Sequence, residues 1–431
     1  MTKPLVSLVK FQDPYESVKS AIELCDGLAG LKKDDKILIK PNIVSWDFDL
    51  PFPPYGVVTT SVVMYAVVRV LKEAGFDDLT IGEAPLPNIQ AKDKSIYEAI
   101  GYDQLAERYG VQVVDFNREK FEEVDFGPFK LSLAQRVLEA DKIINVPVLK
   151  THNQAKVSLG IKNLKGVLNR KSKMFCHGTG EFDLLQTFPR IIEKLPVALT
   201  LIDGVYTLEK GPGPTGKAYR KNLLIASRDA FACDLVGADV LGYKGEDVPY
   251  LRDFAERAGY SLDIGDLEIA GEDLESQRQF VDYDWEWTED DTGPAGFKRR
   301  GISGLAIRKY DNSLCTGCSM QYNPMLILLS SAYKGVPFPN VELVSGKQQM
   351  AAGGFDHTIL FGHCAVALNR GNPRIKQVIA VKGCPPDMKQ FAEILREEGI
   401  VVDEAEYIKY RHYIFNRYKG KEEFDLDHWT V

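Results

Sequence analysis

Short apolar runs alternate with helix-length segments over the first 243 residues, and this alternation restricts the fold more than any other feature of the chain. One such run, Lys36-Ile37-Leu38-Ile39-Lys40, is followed by apolar residues at helical spacing over residues 61–74. Further strand-like runs occur at residues 79–81, 111–114, 142–148, 198–204 and 222–226, with helical patterns at 95–109 and 230–241. Buried strands separated by helices are typical of a mostly parallel sheet covered on both faces. We therefore predict an α/β domain over residues 1–243.

The C-terminal part repeats the pattern on a smaller scale. Strand-like runs lie at residues 341–344, 358–361 and 377–381, and helical patterns lie at 325–333 and 387–398. These elements predict a second, smaller α/β domain over residues 314–431. Residues 244–313 are rich in acidic and aromatic residues near their middle. We expect them to form a connecting segment or a lid.

Four of the seven cysteines lie in the predicted second domain. Cys315 and Cys318 form a C-x-x-C pair, while Cys364 and Cys384 each follow a predicted strand. Because the carboxyl ends of parallel strands meet at one edge of a sheet, these two thiols should converge. Adjacent glycines would let backbone amides approach the sulfurs. The sequence therefore predicts a metal site carried by the second domain.

The expected ligands are Cys315, Cys318, Cys364 and Cys384, and the expected cofactor is a 4Fe-4S cluster. Zinc and the absence of any metal are the alternatives. The spacing of the four cysteines differs from the compact run of a bacterial ferredoxin. Four thiolates saturate a cubane cluster, and this favours electron transfer over direct substrate binding at iron.

Composition and charge limit the partners. The chain has 61 acidic and 53 basic residues, a formal net charge of −8, so it has no overall basic field for nucleic acid. It shows neither a signal peptide nor an apolar stretch long enough to cross a bilayer, and we expect a cytoplasmic protein without a membrane partner. An odd number of cysteines argues against a disulfide framework. Homo-oligomerisation stays open.

Polar side chains follow several predicted strands of the first domain. We predict that they bind a small anionic substrate, with lysines supplying charge, asparagine donating hydrogen bonds and histidine acting as acid or base. The catalytic candidates are His152, Lys150 and Lys162; the substrate-binding candidates are Lys40, Asn42, Asn163, Lys165 and Asp203. The alternative is a set of solvated lysines around a turn. A Gly/Pro-rich loop at 209–217 is not a Walker loop, because Ala218 follows Lys217.

Five ordered motifs resemble the DUF362 family over residues 37–243. They are Ile39-Lys40-Pro41-Asn42, Asn145-Val146-Pro147-Val148-Leu149-Lys150-Thr151-His152, Gly160-Ile161-Lys162-Asn163-Leu164-Lys165-Gly166, Ile202-Asp203-Gly204 and Gly211-Pro212-Gly213-Pro214-Thr215-Gly216. Many members of this family resemble iron-sulfur proteins of anaerobic bacteria and archaea. Some carry a separate ferredoxin module, which this sequence lacks. Residues 381–386 also resemble the Gly-Cys-Pro-Pro cluster-ligand turn of respiratory-complex and hydrogenase small subunits, which supports Cys384 as a ligand.

The sequence and the resemblance together predict an iron-sulfur oxidoreductase or electron-transfer enzyme that acts on a small anion. A protein such as ferredoxin would be its electron donor. Two alternatives stay open: a non-redox iron-sulfur lyase or isomerase, and an iron-sulfur cluster carrier or assembly protein.

Overall fold

The computed structural model describes residues 3–44, 53–86 and 95–430. The chain divides into two compact units. Unit 1 comprises Met1–Ser172, Leu185–Asp284 and Arg417–Val431, and unit 2 comprises Lys173–Leu184 and Trp285–Asn416.

Strands and helices alternate through both units. The strands are β1 (Leu5–Lys10), β2 (Ile37–Pro41), β3 (Leu79–Glu83), β4 (Gln112–Asp115), β5 (Phe121–Asp125), β6 (Lys130–Ala134), β7 (Lys142–Val146), β8 (Val148–His152), β9 (Lys156–Ser158), β10 (Val197–Leu208), β11 (Ala218–Ser227), β12 (Glu268–Gly271), β13 (Leu305–Ile307), β14 (Val341–Ser345), β15 (His357–Phe361) and β16 (Val378–Val381). The helices are α1 (Pro14–Leu24), α2 (Ser61–Glu73), α3 (Ile96–Ala99), α4 (Tyr102–Tyr109), α5 (Gln135–Leu138), α6 (Gly160–Asn163), α7 (Arg170–Phe175), α8 (Leu184–Thr187), α9 (Ala230–Val240), α10 (Pro249–Ala258), α11 (Leu274–Gln277), α12 (Ala295–Arg299), α13 (Thr316–Ala332), α14 (His363–Leu368), α15 (Met388–Glu397) and α16 (Glu404–Asn416).

Unit 1 is built on a large sheet with the strand order β12-β1-β11-β10-β7-β2-β3-β4. Strands β10, β7, β2, β3 and β4 run parallel to one another, while β11 is antiparallel to both β1 and β10. Strand β8 extends the sheet by pairing with β10 and β9. The predicted mostly parallel α/β fold is thus confirmed.

The parallel strands of unit 1 are apolar because helices cover both of their faces. Every residue of β2 is buried, and so is every residue of the apolar helix α9. Because every side is buried, neither segment has a face that consists of polar residues exposed to solvent. The predicted single helix at 95–109 is instead two short helices, α3 and α4, separated at Gly101, which has a φ of 75°.

Unit 2 contains a four-stranded sheet with the order β13-β14-β15-β16, and all its pairings are parallel. Its core includes Leu343, Ile359 and Ile379 from the sheet, with Leu329 of α13 and Phe391 of α15. The second, smaller α/β unit therefore matches the predicted fold class. Strand β13 was missed because it has only three residues.

The units divide the chain differently from the predicted boundaries at residues 243 and 313. Unit 1 continues to Asp284 because β12 pairs with β1, and it regains the C-terminus from Arg417. There, the backbone N–H of Ala218 donates to the hydroxyl oxygen of Tyr418 at 2.7 Å, and the Tyr206 hydroxyl lies 2.9 Å from His428 Nδ1. In the part of the chain that the structure describes, no helix is both long and apolar enough to cross a bilayer.

Candidate functional site

The carboxyl ends of adjacent strands in unit 1 bring several predicted site residues to one level of the sheet. Lys40 on β2 pairs in register with Asn145 on β7, and Asp203 on β10 pairs with Val148 on β8. Sites in open α/β sheets form at this edge because the strand ends leave a crevice between diverging loops. In this protein the edge holds a buried polar network.

A fully buried ion pair joins β2 to β3. The ammonium of Lys40 contacts the carboxylate of Glu83, and it also donates a hydrogen bond to Pro41 O at 2.8 Å. The Glu83 carboxylate accepts a further bond from Ala84 N at 3.0 Å. Burial lowers the pKa of Lys40, and the Glu83 charge opposes that shift. The pair therefore holds two charges that water does not reach.

Lys150 belongs to the same network, and among the described residues its ammonium bonds to two uncharged acceptors. Its Nζ donates to Asn42 Oδ1 at 2.5 Å and to Val57 O at 2.7 Å, and its side chain is 0% exposed. Burial lowers the pKa of Lys150 to about 7; the Lys40 charge acts in the same direction, and the Glu83 charge opposes it. A neutral lysine amine has two N–H groups, so these two acceptors are enough to satisfy its hydrogen-bond donors. Lys150 is thus poised between its charged and neutral forms near neutral pH.

Asparagine side chains connect the two lysines. Asn42 Nδ2 donates to Asn163 Oδ1 at 2.9 Å, and Asn163 Nδ2 donates to Lys40 O at 3.2 Å and to Asn145 Oδ1 at 2.8 Å. The predicted residues Lys40, Asn42, Lys150 and Asn163 are therefore joined by hydrogen bonds. Each member fixes the orientation of the next, so the network is rigid.

Asp203 and Asp234 bind backbone amides next to this network. Asp203 accepts bonds from Thr60 N at 2.7 Å and Val205 N at 3.0 Å, and burial raises its pKa. Asp234 accepts bonds from the N-terminal amides of α6 at Gly160 and Ile161, and burial raises its pKa to about 7. Both carboxylates thus fix the loops that carry the polar residues.

The other predicted residues of unit 1 make different contacts. His152 Nδ1 accepts a bond from Gln154 N at 3.1 Å. Lys162 Nζ lies 5.8 Å from the centre of the Phe188 ring, and Lys165 is buried in the 3-10 turn at Leu164–Val167. None of these contacts joins the three residues to the Lys40–Glu83 pair.

Several residues of the network were missed by the sequence reasoning. Glu83 lies at the carboxyl end of β3. The expectation that polar site residues follow strand ends, which selected Lys40, missed Glu83 because the predicted strand stops at Ile81. Asn145 was read only as part of a strand, and Asp234 lies on the apolar helix α9. Tyr102 is 0% exposed, and its hydroxyl has no hydrogen-bond partner among the described residues. No local signal distinguishes that tyrosine from a core residue.

The cysteines of unit 2 all follow the carboxyl ends of its parallel strands. Cys315 and Cys318 come after β13, Cys364 is the third residue after β15, and Cys384 is the third residue after β16. Cys315 is the N-cap of α13, and Cys318 lies in the first turn of that helix. Cys384 is exposed and the other three are partly exposed.

The four thiols lie close enough to affect one another. A hydrogen bond with Cys315, then burial, then the charges of Cys315, Cys384 and Cys364 raise the pKa of Cys318. Gly362, at a φ of 93°, packs so closely that a Cβ there would lie 3.2 Å from Cys318 Sγ. A glycine is required at this position both for its backbone conformation and for the space beside the sulfur.

Four thiols are the donor type that an iron-sulfur cluster takes. No three histidine, cysteine, aspartate or glutamate side chains within residues 3–44, 53–86 and 95–430 are grouped so that they could hold one metal ion. A cubane offers a separate iron to each thiolate, so its ligands surround a larger volume than the ligands of one zinc ion. The four thiols of unit 2 come from three segments of the chain, which follow β13, β15 and β16.

Part of the first unit matches a family of known proteins. Residues 37–239 match the family described as "Domain of unknown function (DUF362)". The chain is 28% identical over 296 residues to "Thylakoid-associated protein sll1697" of Synechocystis sp., a match that covers 66% of this chain and 88% of that protein.

Among solved structures, the chain is similar to the lactate racemase apoprotein from Thermoanaerobacterium thermosaccharolyticum. The TM-score is 0.40 and the sequence identity is 13%, with 96% of this chain and 91% of the other covered. A likeness at this level says nothing about activity. The family match runs from β2 into α9, in agreement with the five sequence motifs. The matched residues include every member of the Lys40–Lys150 network. Residues 37–239 of this chain are therefore similar to the DUF362 family.

Proposed function

We propose that this chain is an iron-sulfur protein that binds a 4Fe-4S cluster through Cys315, Cys318, Cys364 and Cys384. The observation that carries the proposal is the convergence of four thiols at the carboxyl edge of one parallel sheet. The resemblance of the chain to iron-sulfur proteins is a second support. Such a cluster supplies one-electron transfer when it is bound.

We infer further that the chain works as an oxidoreductase or electron-transfer enzyme. Four thiolate ligands leave no iron open to a substrate, which favours outer-sphere electron transfer over a Lewis-acid role. The partial exposure of the thiols would let an electron-donor protein, such as a ferredoxin, approach the site.

The substrate part of the proposal concerns the DUF362-like domain. We infer that a small anion binds at the carboxyl edge of its sheet and that Lys150 takes up a proton as it binds. Lys150 suits this role because its two acceptors are uncharged, whereas Lys40 already has Glu83. An anion beside Lys150 would raise its pKa from about 7 and stabilise the ammonium. Asn42, Asn163 and Asp203 position these groups, and His152, Lys162 and Lys165 remain candidates for direct contact.

Anaerobic reconstitution with iron and sulfide tests the cluster. We expect the wild-type chain to take up about four irons and four sulfides and to give an EPR signal on reduction with dithionite. Cys364→Ser and Cys384→Ser should lose most of this iron, because each removes one thiolate ligand. Cys25→Ala is the matched control, since Cys25 is buried in unit 1 and belongs to a different core.

Each outcome separates the candidate functions. A wild-type chain that takes up no iron, or serine variants that keep a full cluster, would overturn the proposal, and a colourless protein with one bound zinc would replace it with a zinc site. Turnover of a substrate without any electron donor would favour the lyase or isomerase. Rapid transfer of the cluster to an apo-ferredoxin would favour the carrier.

A further inference from the structure

Lys347, just after strand β14, binds the segment 174–177 next to the cysteine loops. Lys347 lies two residues beyond the end of β14, and its Nζ donates to Met174 O at 2.8 Å and to His177 O at 2.6 Å. Its backbone N donates to Ser313 Oγ at 2.8 Å. Lys347 therefore ties the segment 174–177 to the loop that leads into Cys315.

The same segment reaches the cysteine loop through a histidine. His177 is 1% exposed; its Nδ1 lies 2.9 Å from Asn312 O and its Nε2 lies 3.5 Å from Thr316 Oγ1. Since a carbonyl oxygen only accepts, this contact assigns the ring proton to Nδ1 and leaves Nε2 to accept from the threonine hydroxyl. Thr316 follows Cys315 directly. The segment 174–177 therefore contacts the chain next to the C-x-x-C pair through His177.

Lys347 also follows a strand at the same edge of the sheet as the thiols. Ser345, two residues before it at the end of β14, pairs in register with Phe361, three residues before Cys364. In the four-stranded sheet β14 lies between β13 and β15, the strands that lead to Cys315 and Cys364. The loop that carries Lys347 thus leaves the sheet between the strands that lead to Cys315 and to Cys364, and two backbone carbonyls hold its ammonium.

We propose that Lys347 is a positioning residue that raises the reduction potential of the cluster bound by these four cysteines. The inference rests on the proposed function. Reduction adds one electron, taken from an external reductant, to a group that four thiolates already make negative, and no bond in the protein forms or breaks. A fixed positive charge nearby stabilises the reduced form more than the oxidised form. Removing the charge should therefore make the cluster harder to reduce.

The test is a potentiometric titration with dithionite and redox mediators, followed by EPR on the reconstituted full chain. Lys347→Gln removes the charge but keeps an N–H donor for the two carbonyls, whereas Lys347→Arg keeps both. We expect Lys347→Gln to raise the ratio of oxidised to reduced cluster about tenfold at a fixed potential, which for one electron corresponds to about 59 mV. Lys347→Arg should stay close to wild type.

Lys376→Met is the matched control for loss of a lysine charge. Lys376 precedes β16, at the sheet edge opposite the thiols, and pairs with Asp356 at 2.9 Å with 63% of its side chain exposed. The cluster of the Lys376→Met variant should have the same midpoint potential as that of the wild type. Iron and sulfide contents, measured on every variant, show which hypothesis a negative result addresses.

Two results would overturn the inference while leaving cluster binding intact: a fully loaded Lys347→Gln variant with an unchanged potential, or a Lys347→Arg variant shifted as far as Lys347→Gln. Should Lys347→Gln fail to load, Lys347→Arg decides: the inference then requires Lys347→Arg, like the control Lys376→Met, to load a cluster with the wild-type potential, and any shift in Lys347→Arg overturns it. Failure of the wild type and of Lys376→Met to hold any cluster would instead refute the proposed function.

Discussion

The carboxyl edges of the two sheets differ in how their polar groups are satisfied. In unit 1 the edge is closed: Lys40 and Lys150 are each 0% exposed, and their hydrogen bonds end on groups of the same unit. In unit 2 the edge is open, with three partly exposed thiols and one exposed thiol. The same position in an α/β sheet thus supports a rigid polar core in one unit and an accessible donor set in the other.

This difference shows what the strand-end rule can and cannot decide. The rule correctly indicated where polar residues gather. Whether such residues bind a ligand or bind one another depends on burial and on the charges around them. Buried charges must be paired because leaving one unpaired costs several kcal/mol, while a half-exposed thiol carries no such requirement.

The largest expected effect comes from breaking the closed edge at its ion pair. Glu83→Gln leaves the Lys40 ammonium buried without a carboxylate, and we expect the free energy of unfolding to fall by about 3 to 5 kcal/mol. Urea denaturation measures the change. In unit 2, Asp356→Asn breaks the exposed pair with Lys376 and should cost less than about 1 kcal/mol.

A double variant shows whether that loss comes from the unpaired charge. Lys40→Met combined with Glu83→Gln removes both charges, so it should be less destabilised than the sum of the two single variants. If Glu83→Gln unfolds at the wild-type urea concentration, the Lys40–Glu83 pair does not hold the edge closed and the contrast between the two sheets fails.

A smaller effect is expected from the pH dependence of the closed edge. The pKa of Lys150 is about 7 in the folded protein and about 10.4 in an unfolded chain. Below pH 7 both states hold the proton and the cost of the buried charge is present in full. Between pH 7 and 10 the folded state has lost the proton while the unfolded state still binds it, so stability due to this group rises with pH by a few kcal/mol.

Lys150→Met isolates this contribution from other groups that titrate in the same range, Asp234 among them. The difference in unfolding free energy between wild type and Lys150→Met should change in favour of wild type as the pH rises from 7 to 10. Parallel curves for the two proteins would mean that Lys150 keeps its proton in the folded protein over this pH range, and that it is not poised to respond to an anion.

Most of the fold could be predicted because its strands and helices are local patterns. β2, β14 and β15 are apolar runs bounded by turns, and the structure has them within a residue or two of the predicted ends. Helix α13 was predicted only from residue 325 because Pro324 interrupts the pattern and the preceding turns are polar; the structure begins it at Thr316.

The contacts that define the two edges could not be predicted from local patterns. The Lys40–Glu83 pair joins residues 43 positions apart, and Lys347 reaches His177 across 170 positions. Such contacts depend on strand order, which neither propensity nor spacing reports. The return of the chain from Arg417 to unit 1 is another long-range contact of this kind.

The smallest expected effects come from a pair of glycines, one at each edge. A Cβ at Gly166 would lie 2.0 Å from Glu83 Oε1, and that carboxylate cannot move aside without leaving Lys40 and Ala84 N, so Gly166→Ala should destabilise the protein by about 1 to 3 kcal/mol. At Gly317 the nearest atom would be Pro385 Cδ at 3.4 Å, an ordinary contact in the first turn of α13. Gly317→Ala should therefore be neutral or add up to about 1 kcal/mol, because alanine loses less backbone entropy in a helix. Thermal unfolding of the two alanine variants compares the edges directly, and equal losses of stability would show that the thiol edge is packed as tightly as the ion-pair edge.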